Sequence, residues 1–119
     1  MQGLIFAAAI SLAAELSLAP ALAQPIAPSE AEAHAGQSVT VEGTASAVRA
    51  SPSGRATFID IDGAYPDNSF TAVIFAKDAG KFSNLNSLDG KTVDVTGPVQ
   101  LYKGRPEIIV TETAQLKAK

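Results

Sequence analysis

From Val39 onward the chain alternates apolar and polar residues in short runs, each closed by glycine, proline, aspartate or asparagine. A period of two marks half-buried β-strands, and punctuation of this kind marks the turns between them. Val39-Thr40-Val41-Glu42-Gly43 opens a first strand predicted to run to Arg49, with a bulge or sharp bend at Gly43. After the turn Ser51-Pro52-Ser53-Gly54, a second strand spans Arg55 to Asp62. Thr57, Ile59 and Ile61 lie on one of its faces, and Phe58, Asp60 and Asp62 on the other. Gly63 to Asn68 is rich in turn formers. Phe70 to Ala76 is apolar on both faces and is therefore a central strand.

The stretch from Asp78 to Leu88 breaks this pattern. Ala79, Phe82 and Leu85 stand at helical spacing, and Asp78 is placed to cap a short helix. Asp89-Gly90 is a turn, and Lys91 to Gly97 alternates again. Tyr102-Lys103-Gly104-Arg105-Pro106 reads as a hairpin-type connection into a last strand from Glu107 to Thr113. Val93, Val95, Ile108 and Val110 are predicted to face inward.

Three strands, a short helix and two strands in 119 residues amount to one domain. A short sheet with long open edges invites aggregation, and closure into a barrel removes those edges. The predicted fold is therefore mainly β, a five-stranded OB-fold barrel with a short helix between strands three and four.

The N-terminal segment reads as an address. Leu4 to Ala14 forms an apolar run as long as a signal-peptide core, and Ala21-Leu22-Ala23 gives the small-x-small pattern of a cleavage site. The run departs from the usual pattern in having no basic residue before it and Glu15 directly after it. Glu15 also interrupts the roughly 20 apolar residues that a membrane span needs. The expected organisation is a signal peptide over 1–23, a flexible or short helical leader over 24–36, the barrel domain over 37–116 and a tail over 117–119. Residues Ser29 and Glu32 have capping-box spacing within the leader. The expected location is periplasmic or secreted, with no membrane span after signal cleavage.

Composition excludes several chemistries. The chain has no cysteine, so disulfides, thiol nucleophiles and thiolate metal sites are absent. A single histidine, His34 in the leader, rules out a His-pair metal site and reads as an exposed side chain. A net charge of −3 excludes a protein that grips nucleic acid by bulk positive charge. Asp60, Asp62, Asp67 and Asn68 hint at a cation loop, but the remaining ligands of a calcium loop do not follow. Aspartate and asparagine in a strand-to-strand turn are accounted for by backbone chemistry alone. No metal, no cofactor and no catalytic residue is predicted, and the chain is not expected to be an enzyme.

The stretch Val39 to Leu116 resembles the nucleic-acid-binding OB-fold domains of the tRNA-anticodon-binding type. The likeness rests on VTVEGTASAV, the SPSG turn, TFIDIDG, FTAVIF, the run from Leu88 to Gly97 and YKGRPEII from Tyr102. In such domains strands two and three, with the connections between strands one and two and between four and five, line one binding surface. The resemblance places Arg49 and Arg55 around the first connection, and Tyr102, Lys103 and Arg105 in the second. All the arginines of the chain fall in these two segments. Arginine suits bidentate phosphate contact and stacking on a base. Phe58 on the outward face of strand two and Tyr102 complete an aromatic-plus-cation pattern suited to single-stranded nucleic acid. A one-residue slip in strand two would bury Phe58 instead, and a charged, merely solvated rim is the competing reading of these loops. The expected ligand-binding set is Arg49, Arg55, Phe58, Tyr102, Lys103 and Arg105. The expected function is a binding module for single-stranded nucleic acid or a similar anionic ligand. The alternative is a periplasmic protein-interaction or structural module with no nucleic-acid ligand.

Overall fold

The alternating runs form strands in a computed structural model that describes residues 24–119. The expected signal segment, 1–23, lies outside the described residues. The strands are β1 (Ser38–Ala50), β2 (Ala56–Ile61), β3 (Phe70–Phe75), β4 (Thr92–Tyr102), β5 (Arg105–Ile109) and β6 (Leu116–Ala118), with a single-turn helix α1 (Ala76–Ala79) after β3. Their order is β1-β2-β3-β5-β4-β6, and β1 also pairs with β4. The first five strands therefore close a ring with β3 and β5 parallel and the other neighbours antiparallel, which is the OB-fold barrel.

Closure depends on β1 serving two partners. Ser38 to Thr44 pair with β4, and Ala45 to Ala50 pair with β2 across a bulge between Ala45 and Ala47. Gly43 was expected to carry that bulge, but its role is different. A Cβ there would stand 2.5 Å from Pro28 Cγ and 2.6 Å from Ile61 Cγ2, so Gly43 is where the leader approaches the strand. The barrel is filled by Val41, Ile59, Ile61, Phe70, Ile74, Val93, Val95, Ile108 and Val110, each essentially inaccessible to solvent. The inward placement read from β4 and from Ile108 and Val110 is thus observed.

Several boundaries differ from the sequence reading. β4 continues past Gly97 and Pro98 to Tyr102. Proline lacks a donor for the ladder, but Pro98 falls where β4 leaves β1 (Ser38 opposite Pro98) and takes up β5 (Val99 opposite Ile108). β5 stops at Ile109, and the Gln115 side chain turns the chain there. Its Oε1 accepts from the Thr111 and Glu112 amides at 2.8 and 3.0 Å, while its Nε2 donates to Thr96 O at 2.9 Å. Leu116 to Ala118 then pair with β4, so the expected tail begins inside a sixth strand. Asp78 lies within α1 and does not cap it; Phe75 holds the cap position. Phe82, Leu85 and Leu88, from the connection after α1, pack against the core.

The leader is ordered structure. Pro28 to His34 form a 3-10 helix in which Glu30, not Glu32, reaches back to accept from the Ala27 amide at 2.8 Å. Ile26 adds to β1 by donating to Thr40 O and accepting from the Glu42 amide, and Ala31 is fully buried in the core cluster. Opposite, Lys81 straps α1 to the segment after β5 through Glu112, Asp78 and Thr111 O. Hydrogen bonding to Glu112, then to Asp78, raises the Lys81 ammonium above its ordinary value. On the lysine side the strap is therefore intact at neutral pH and is lost as pH climbs through that raised value.

A candidate aromatic and cationic groove

β1 and β2 place Arg49 directly opposite Phe58, with Asp60 one diagonal step along the same outer face. The guanidinium takes both carboxylate oxygens of Asp60: Nε donates to Oδ2 at 2.7 Å and Nη2 to Oδ1 at 3.2 Å. Asp60 is 0% exposed although the alternation puts it on the outer face, because Arg49 lies over it. The Arg49 guanidinium carbon stands 4.7 Å from the centre of the Phe58 ring and 4.2 Å from that of Tyr65.

Tyr65 belongs to the turn between β2 and β3 and is 56% exposed. That turn is held by Arg105, at the start of β5. Arg105 Nη1 donates to Pro66 O and Nη2 to Asn68 Oδ1, each at 2.7 Å, and its guanidinium lies 5.3 Å from the Tyr65 ring. Buried Asn68 passes the connection on by donating from Nδ2 to Phe70 O and Thr71 Oγ1 at 2.8 Å. The Arg105 side chain, expected in the ligand-binding set, is also a latch on the β2–β3 turn. Its partners are neutral oxygens, so the latch leaves its positive charge uncancelled.

The connection from β4 to β5 is a two-residue turn with positive φ at both Lys103 (53°) and Gly104 (79°). This is the type I′ geometry that matches strand twist in a hairpin. It presents Tyr102, 57% exposed, with Lys103 Nζ lying 5.4 Å from its ring centre. On the neighbouring rungs Gln100 Nε2 donates to Glu107 Oε2 at 2.6 Å, which places one carboxylate beside these cations.

Arg49, Phe58, Tyr65, Tyr102, Lys103 and Arg105 line one groove of about 330 Å³. Five of the residues expected from the sequence are thus brought together. Arg55 is not, since it ends the exposed β1–β2 turn and does not line the groove. Tyr65 was missed. Its only signal was a large aromatic inside a turn whose other residues, Gly63, Pro66, Asp67 and Asn68, are explained by backbone chemistry. Among the described residues no group of three or more His, Cys, Asp or Glu side chains stands close enough to hold a metal ion. No helix there is long and apolar enough to cross a membrane.

No protein-family model and no curated protein matches the sequence. Solved structures do match the fold. A chain described as an aspartyl-tRNA synthetase from Leishmania major Friedlin superposes with a TM-score of 0.54 at 14% identity, covering 80% of this chain. An aspartyl-tRNA synthetase from Entamoeba histolytica covers 72% of this chain at 21% identity, with a TM-score of 0.49. This chain spans about a fifth of the length of each, 20% and 19% respectively.

Proposed function

We propose that the chain is a non-enzymatic OB-fold module that binds single-stranded nucleic acid, or a similar anionic ligand, in this groove. The observation that carries the reading is the convergence of Phe58, Tyr65 and Tyr102 with Lys103 and Arg105 on the face formed by β2, β3 and the β4–β5 turn. Two exposed tyrosine rings and a half-buried phenylalanine beside cations are what unpaired bases and a phosphate backbone require. The structural likeness to part of a tRNA synthetase supports the same direction. A salt titration of binding to a short single strand tests it. Affinity should fall with log salt at a slope of about −0.7 per phosphate neutralised. Tyr102→Ala should weaken binding by about 1–3 kcal/mol with no loss of thermal stability, because the ring is exposed. Lys91→Ala, at a connection remote from the groove, should change little. No binding at about 50 mM salt would overturn the proposal.

A partner-holding module is the second reading, and the edge of β1 favours it. Ser51 N donates to Ala56 O across the β1–β2 ladder, so by alternation Val48 and Ala50 turn their backbone groups away from β2. Among the described residues β4 has stopped pairing by that point. A groove of about 460 Å³ runs there between Val48, Ala50 and Asn84 to Ser87. An open strand edge of this kind accepts an extended peptide.

The apolar run before Glu15 and the Ala21-Leu22-Ala23 pattern support a proposal of export to the periplasm or beyond. The intact mass of exported protein should correspond to a chain beginning at Gln24. Recovery of the uncleaved chain in the cytoplasm alone would overturn it.

A further inference from the structure

We infer that Asp60 is a positioning residue that makes the groove a reader of flat rings and not a clamp on phosphates, an inference that rests on the nucleic-acid reading above. A guanidinium recognises phosphate through a fork of paired donors. In Arg49 the Nε and Nη2 edge is already spent on Asp60, and the full negative charge of that buried carboxylate cancels the arginine's own. The Nη1–Nη2 edge keeps its donors, but with the charge offset they have lost most of their pull on a phosphate; what stays distinctive is the plane, fixed by the carboxylate and lying over both Phe58 and Tyr65. The centre of the groove is therefore a rigid π surface with almost no net charge. Positive charge survives only at one end, on Lys103 and Arg105, and Glu107 beside them offsets part of it. A ligand matched to this arrangement is a short single strand held mainly by one or two bases, with contact to only one or two phosphates. A long polyanion gains little here, which agrees with the acidic balance of the whole chain.

The test compares a labelled short oligo(dT) with an abasic strand of equal length, each titrated with salt. The unmodified protein should prefer oligo(dT) roughly tenfold, the weight of a stacked base. Its salt slope should be no steeper than about −1.4, equivalent to two phosphates. Asp60→Asn frees the charge of Arg49, so the slope should steepen by about 0.7 and the preference for bases should shrink. A purely structural role for Asp60 would instead weaken both strands equally with an unchanged slope, and that result overturns the inference. Equal affinity of the unmodified protein for the two strands, or a slope steeper than about −2.8, overturns it as well while leaving nucleic-acid binding intact. Absence of binding to either strand removes both the inference and the reading beneath it. Should Asp60→Asn fail to fold, Tyr65→Leu on the exposed turn replaces it. That variant should lose the preference for oligo(dT) at constant slope, and full retention of the preference overturns the inference.

Discussion

Arg49 shows how one side chain can be placed correctly while its partner within the fold goes unseen. Its position beside the β1–β2 connection was legible, and so was its nearness to Phe58, since both follow from strand register. Its engagement with Asp60 was not legible, because a period-two reading assigns Asp60 to solvent and has no means of seeing a guanidinium close over it. Charge bookkeeping now dictates a stability effect. Arg49→Ala leaves a fully buried carboxylate without its partner, and breaking a buried pair costs about 3–5 kcal/mol. The lower end, about 3 kcal/mol, applies here because 33% of the Arg49 side chain remains in water. Chemical denaturation should show that loss without any ligand present; a change below about 0.5 kcal/mol, as for an exposed ion pair, would contradict the geometry. Arg105 and Tyr65 make the related point that contacts between a hairpin and a distant turn leave no periodic trace. Only the oddity of an aromatic among turn formers pointed to Tyr65.

At the scale of elements, type and order were legible while ends were not. Five of the strands follow from alternation and the turn residues between runs, and a short helix after β3 from the break in that pattern; the spacing of Ala79, Phe82 and Leu85 put the helix too late, since α1 is Ala76–Ala79. The misplaced ends of β4 and β5 share a cause, which is that a strand can change partners where its local sequence looks like a stop. Pro98 sits at such an exchange, and the turn after Ile109 is made by Gln115, several residues downstream. Gly43 belongs to the same class. In the sequence it suggested irregular backbone, whereas the structure uses the missing side chain to seat Pro28 and Ile61. Gly43→Ala must push back a ring and a core isoleucine together, so it should cost roughly 1–3 kcal/mol, the range for overpacking. Gly54→Ala is a poor control because its φ of +75° is itself strained in other residues; Gly80→Ala, with open space around it, should be close to neutral. A Gly43→Ala protein as stable as the parent would mean that the leader does not rest on β1 as described.

The whole molecule depends on what closes the base of the barrel, and there the sequence was least informative. Residues 24–36 carry two prolines and no strand period, which suggested a flexible or short helical leader; the short helix is there, but its packing against the barrel was not legible. Ile26 extends the sheet along β1, Pro28 fills the space over Gly43, and Ala31 is buried among the core side chains. The leader thus seals one end of the barrel and borders the groove without lining it, since its Glu32 shares a hollow with Asn68, Arg105 and Pro106. Cleavage after Ala23 would leave this seal complete, since among the described residues its first hydrogen bond to the barrel is at Ile26. Removing Gln24 to His34 should therefore damage stability and spare the site. Exposing the surfaces under Ile26, Pro28 and Ala31 forfeits about 2–3 kcal/mol of apolar burial. In a domain of this size each kcal/mol corresponds to about 4–8 °C, so the melting temperature should fall by about 10 °C or more. Below that lowered transition the truncated protein should bind oligo(dT) with the affinity of the parent, because no groove residue lies in the deleted segment. An unchanged melting temperature would show that the barrel closes without its leader. Loss of binding in a protein still folded would show instead that the seal and the groove are coupled through the barrel wall.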